Sequence, residues 1–205
     1  MNGLVPNRFS NLPKSQTEPM FGDDVMLHYG VPGDGTCFYY SLCAILNIQD
    51  YLNSSLNDQV TIGRSYRCNL THDITWDEWK QFLKLKHISA TKITSLAKLK
   101  QKMCSYRVWA DEPVIRFIMY KLRINLIFLD ENMDKLYCGV TEAESDMTAV
   151  ILWVDKSHFE PIGRLNALDI EEDQVAVQFQ FFPDKDHEFI DRLMTHYGIE
   201  CNVQQ

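Results

Sequence analysis

Two short segments carry the residue types that thiol chemistry needs. Gly33-Asp34-Gly35-Thr36-Cys37-Phe38 sets a cysteine behind a glycine-rich turn, at the start of a stretch with helical apolar spacing. Far downstream, Ser157-His158-Phe159-Glu160 offers an imidazole with a carboxylate two residues on. A free thiol titrates near pH ~8.5 and is a poor nucleophile at neutral pH. Unpaired N–H groups and the dipole at a helix N-terminus favour the thiolate, and an adjacent imidazole supplies a base. Gly33 and Gly35 let the turn aim backbone N–H groups into a concavity, where they and the Cys37 N–H can hold an oxyanion. If His158 and Glu160 share a strand, their side chains face the same side, and the carboxylate can orient the ring. The pattern points to a cysteine hydrolase. Taken singly, Cys37 also reads as a small core residue behind an ordinary turn, and His158 as a surface residue of a hairpin.

The elements that must position these segments follow from spacing. Met26 to Val31 reads as a short extended entry and Pro32-Gly33-Asp34-Gly35 as a turn. Phe38, Ser41, Leu42, Ile45 and Leu46 fall at helical intervals, predicting an amphipathic helix capped by Thr36 and stopped at Asn47. Further helices are predicted after Leu56, over 74–85 with Thr75 as cap, within 87–106, and from Asp111-Glu112-Pro113 to Leu122. Ile124 to Leu129 and Ala149 to Val154 are apolar runs of the kind found in strands buried on both faces. Lys135 to Val140 and His158 to Ile162 read as strands beside them, with a last strand over 175–182. A final helix is expected from Asp184 to a Gly198 C-cap. Helices come first and a small sheet later, which is α+β rather than alternating β/α. Residues 1–22, with Pro6, Pro13 and Pro19, read as a loosely ordered N-terminal arm. Residues 23–165 read as the catalytic domain, and 166–205 as a strand-helix extension packed on it.

Composition narrows the class. A chain of 205 residues with 45% hydrophobic content can bury one sizeable core. Twenty basic against 28 acidic residues give a formal charge of −8, which argues against nucleic-acid binding and fits a basic partner. No apolar run is long enough to span a membrane, and the N-terminal stretch lacks the apolar region of a secretory signal. The six cysteines are therefore expected as reduced thiols in a soluble, cytoplasmic, monomeric protein. No CxxC or HxxxH pair is present, so no metal site is expected. Cys43 reads as core. His28, His72, His87, His187 and His196 show no partner spacing and read as surface or core residues.

Together these segments resemble the ovarian-tumour (OTU) family of cysteine proteases. The family carries G-D-G-x-C-[LF] at the nucleophile, met by Gly33 to Phe38, and H-[YF]-x after a strand, met by His158-Phe159-Glu160. Trp109-Ala110-Asp111-Glu112, then the helix Val114 to Leu122 and the strand Ile124 to Leu129, is similar to the family's W-G-[DG], helix, I-x-[IV] block. The resemblance implies a papain-like fold with the small sheet packed between helices. It implies Cys37 as nucleophile, His158 as general base, and an oxyanion loop around Asp34 with the Asp34 and Cys37 N–H groups as donors. Glu160 stands where the family often carries Asp or Asn as third triad member; Asp23 or Asp24 is an alternative orienter, and some relatives manage with a weak third residue or none. The implied reaction is hydrolysis of the isopeptide bond between the C-terminal glycine of ubiquitin and a lysine amine, through a thioester and without a cofactor. The implied partners are ubiquitin, polyubiquitin chains or a ubiquitin-like modifier. A catalytically silent ubiquitin-binding module and a papain-like acyltransferase are the alternatives, and a viral or bacterial effector acting in host cytoplasm is compatible with so short a chain.

Overall fold

A computed structural model of the chain describes residues 9–22, 25–88, 92–139, 147–165, 177–178, 192–193 and 195–198. The chain divides into two units, Met1–Val31 with Arg123–Gln205, and Pro32–Leu122. The first holds the sheet and the second most of the helices, so the fold is α+β with its two classes of element largely segregated.

The sheet unit contains β1 (Phe9–Asn11), β2 (Met26–Tyr29), β3 (Ile124–Asp130), β4 (Leu136–Gly139), β5 (Met147–Val154), β6 (His158–Leu165) and β7 (Val177–Gln178), with α1 (Lys14–Phe21) between the first two. The strand order is β1-β2-β6-β5-β3-β4, and β7 pairs with the end of β6. Only the β3–β5 pairing is parallel among these ladders. Alternation assigns the two faces. Met26, Ile127, Leu129, Val150, Leu152 and Ile162 pack on one face with Leu12, Phe21, Met133, Leu136 and Leu193. Phe128, Trp153 and Phe159 occupy the other; the Phe128 and Phe159 rings lie 5.7 Å apart and Trp153 stacks on Phe159 at 6.3 Å. Both faces of β3 and β5 are buried, as their unbroken apolar runs predict.

Residues 9–21 are not a loose arm. β1 pairs antiparallel with β2, the Phe9 and Tyr29 rings lie 4.8 Å apart, and the Leu12 N–H donates to the Met26 carbonyl at 2.9 Å. Polar composition and three prolines concealed the two residues that bury this segment, Leu12 and Phe21. At the other end, the described part of the expected last strand is β7. Residues 192–193 and 195–197 are helical, and Gly198 closes the turn at φ 59° with its N–H on the Thr195 carbonyl. The rest of both expectations lies outside the described residues.

The helical unit contains α2 (Cys37–Ile45), a 3-10 segment (Ile48–Asn53), α3 (Leu56–Asn69), α4 (Trp76–Leu85), α5 (Leu96–Cys104) and α6 (Glu112–Leu122). Trp79 and Phe82 of α4 meet Phe117 of α6 at ring separations of 5.0 and 5.2 Å, and Thr75 caps α4 in a reciprocal box with Glu78. α2 differs from expectation: all nine residues are buried, so it has no solvated face. Ser41 tolerates this because its hydroxyl donates to the Cys37 carbonyl at 3.1 Å. α3 approaches α2 through Gly63, where an added Cβ would sit 2.0 Å from the Tyr40 ring.

The cysteines also depart from expectation. Cys37 and Cys43 are not disulfide-bonded, whereas Cys68 and Cys104 form a disulfide that joins the end of α3 to the end of α5. Their Cα atoms are 4.5 Å apart across a sequence separation of 36, a proximity that spacing could not reveal. Cysteine usage therefore no longer argues for a reducing compartment. Among the described residues, no helix is long and apolar enough to cross a membrane.

Candidate active site

Cys37 is the first residue of α2 and is buried. The turn before it is built by Asp34. Its Oδ1 accepts the Thr36 N–H at 2.7 Å, and its Oδ2 accepts the Tyr40 hydroxyl at 3.2 Å and Arg64 Nη2 at 2.9 Å. The Asp34 side chain thus takes the capping role expected of Thr36, whose own hydroxyl makes no cap bond. Burial, then the Asp34 charge, push Tyr40 up to about 12, which keeps it a proton donor. The two N–H groups assigned to an oxyanion loop are both engaged locally. Asp34 N–H donates to the Pro32 carbonyl at 3.0 Å, and Cys37 N–H to the Asp34 carbonyl at 3.2 Å. Cys43, also outside the disulfide, is pushed up to about 12 by burial, which leaves its thiol protonated.

Arg67 on α3 holds this turn from behind, and no motif announced it. Its Nε donates to the Met103 carbonyl, Nη1 to the Gly35 carbonyl at 2.5 Å and the Thr36 hydroxyl at 3.3 Å, and Nη2 to the carbonyls of Val108 at 2.5 Å and Lys102 at 3.1 Å. The guanidinium lies 4.5 Å over the Tyr39 ring. Burial lowers its pKa, yet a guanidinium remains a cation. Gly35 is held equally close: a Cβ there would sit 2.7 Å from the Tyr106 carbonyl oxygen. Only glycine lets the 106–108 backbone lie against the turn.

His158 and Glu160 do share one strand. They begin β6 after a tight hairpin in which Asp155 and Lys156 take φ 48° and 56° and the Ser157 N–H closes onto the Val154 carbonyl at 3.1 Å. Two consecutive left-handed residues match the twist of an antiparallel pair. Glu131 fixes the turn by accepting the Asp155 N–H at 3.0 Å. Phe159 anchors the strand through the opposite face, so His158 and Glu160 point the same way. His158 Nε2 lies 3.4 Å from Glu160 Oε1. A carboxylate only accepts, so a ring bonded to it carries its proton on Nε2 and keeps the lone pair on Nδ1.

Glu160 has a second imidazole partner. His28 Nδ1 donates to Glu160 Oε2 at 2.5 Å from β2. His28 is thus neither an idle surface nor a core residue, and the sequence held no signal for it, because its partner lies 132 residues away. Burial by itself would raise the Glu160 pKa. The bonds from His158 and His28 outweigh it and hold the carboxyl at about 2. Asp23 and Asp24, the alternative orienters, lie outside the described residues. Among the described residues no cluster of three or more His, Cys, Asp or Glu side chains is placed to hold a metal ion.

No family model and no curated protein matches the chain. Among solved structures it is similar to an ovarian-tumour (OTU) domain in complex with ubiquitin, at 17% identity and TM-score 0.49 over 86% of this chain and 91% of that one. It is similar to the Hazara virus OTU bound to ubiquitin, at 14% identity and TM-score 0.48 over 79% of this chain and 93% of that one. It is also similar to the viral OTU domain protease from Dera Ghazi Khan virus, at 18% identity and TM-score 0.45 over 80% and 86%.

Proposed function

We propose that the chain is an OTU-type cysteine hydrolase that cleaves the isopeptide bond after the C-terminal glycine of ubiquitin or a ubiquitin-like modifier. The observation that carries this reading is Cys37 at the first residue of α2, behind a turn pinned by Asp34 and Arg67. The His158–Glu160 pair on one strand face supports it. In this reading His158 Nδ1 takes the Cys37 proton and the thiolate attacks the glycyl carbonyl carbon. The tetrahedral oxyanion collapses to a thioester as the lysine amine leaves with the proton from His158. Water, deprotonated by the same ring, then releases the glycyl carboxylate and restores the thiol. The substrate class comes from the resemblance of the Gly33–Phe38, Trp109–Glu112 and Ser157–Glu160 segments.

The test is a panel of di-ubiquitins of every linkage, together with a ubiquitin bearing a C-terminal electrophile. Wild type is expected to cut at least one linkage and to be labelled at Cys37 alone, and Cys37→Ala to do neither. Folded wild type that is neither labelled nor active on any member overturns the proposal. One observation favours a catalytically silent ubiquitin-binding module instead: both N–H groups assigned to the oxyanion are bonded to the chain's own carbonyls. Calorimetry showing ubiquitin binding without turnover selects that second reading.

A further inference from the structure

We infer that His28 is a positioning residue for His158, acting through Glu160: it holds the far oxygen of the carboxylate so that the near oxygen stays on the ring of the base. The inference rests on the reading of His158 as that base. Three side chains, from two adjacent strands, form the unit His28–Glu160–His158, with side-chain exposures of 24%, 14% and 19%. β2 and β6 are paired with His28 opposite Ile162, so Glu160 is a diagonal neighbour of His28 on the same face. His28 Nδ1 and His158 Nε2 address different oxygens of one carboxylate. Each oxygen having its own donor fixes the carboxylate plane, which a single contact of 3.4 Å to His158 leaves free to rotate.

Register places Leu152 and Val154 of β5 opposite Glu160 and His158, and Ser10 of β1 opposite His28. The two imidazoles are the groups that lower the Glu160 pKa. When His28 loses its donor, the carboxylate gains a freely rotating oxygen and its whole charge turns to His158. The His158 cation is then favoured and the ring is less well aimed.

Two readouts separate this from a merely structural role. The first is the protonation midpoint of His158, followed by NMR of ring-labelled histidine in the intact chain. It is expected to rise in His28→Leu, with kcat on the best di-ubiquitin falling roughly tenfold at unchanged KM. His28→Asn, whose amide keeps a donor, is expected to recover most of both. An unchanged His158 midpoint in folded His28→Leu overturns the inference. The second readout needs no His28 variant: a protected imidazole N–H proton, coupled to His28 Nδ1, is expected in wild type and lost in Glu160→Ala, which removes the acceptor. If wild type lacks that proton, the inference fails even where His28→Leu does not fold. Activity and coupling are read apart. A coupled but inactive wild type sinks the hydrolase reading alone, and an active, uncoupled one sinks this inference alone.

Discussion

Replacing Glu160 by glutamine keeps the shape of the side chain and removes its charge. The carboxyl sits at about 2 in the folded chain against 4.5 for the ordinary group, and the side chain is only 14% exposed. A carboxyl whose folded value is depressed stabilises the fold above its unfolded value. That contribution is lost as pH falls from about 4.5 through about 2. The difference corresponds to roughly 3 kcal/mol. Every other carboxylate titrates in both proteins and cancels in the comparison. Urea unfolding of wild type and Glu160→Gln, followed by tryptophan fluorescence from pH 7 to pH 2, measures the gap at each pH. The gap is expected to be widest above pH 5 and to narrow by about 3 kcal/mol on reaching pH 2, with equal m-values. A gap that stays constant from pH 5 to pH 2 would refute the reasoning, since Glu160 would then titrate alike folded and unfolded.

Other perturbations test the support behind Cys37. Arg67→Lys puts one compact ammonium where a planar fork reaches four carbonyls, so urea unfolding should show a loss of about 3 kcal/mol; under 1 kcal/mol would contradict the clamp. Gly63→Ala drives a Cβ into the Tyr40 ring, at 2.0 Å before relaxation, and should cost about 1–3 kcal/mol in the same assay. Peptide mapping without reductant should recover Cys68 linked to Cys104, and a Cys68→Ala, Cys104→Ala double variant should lose about 4 kcal/mol of stability by loop closure. Two free thiols at these positions in the folded chain would remove the link.

What was legible in the sequence was local. The Asp34 turn, α2, the Thr75 cap and the buried runs of β3 and β5 each depend on residues within a few positions of one another, and periodicity captures that. The placement of Cys37 at a helix start and of His158 and Glu160 on one strand was legible for the same reason, each within its own segment. Arg67 was not, because the carbonyls it serves lie 32 to 41 residues away and carry no side-chain signature. The disulfide escaped for the same cause, and an even cysteine count in a chain with an ample core does not demand one. α1 and β1 were hidden because short pieces anchored by one or two apolar residues give too few repeats to establish a period.

The glutamate at position 160 and its contact with His28 belong together. A carboxylate two residues after His158 can reach the ring from its own strand with either an aspartate or a glutamate side chain. Reaching a diagonal residue on the next strand is different, because Cβ atoms there lie roughly 7 Å apart. The extra carbon–carbon bond of glutamate, about 1.5 Å, moves the second oxygen outward toward β2. In this chain that oxygen meets His28 at 2.5 Å while the first still faces His158 at 3.4 Å. A glutamate without His28 would hold an under-bonded anion in a largely buried place. His28 opposite an aspartate would face a carboxylate too short to bridge. Glu160 and His28 therefore account for each other through the register of β2 on β6.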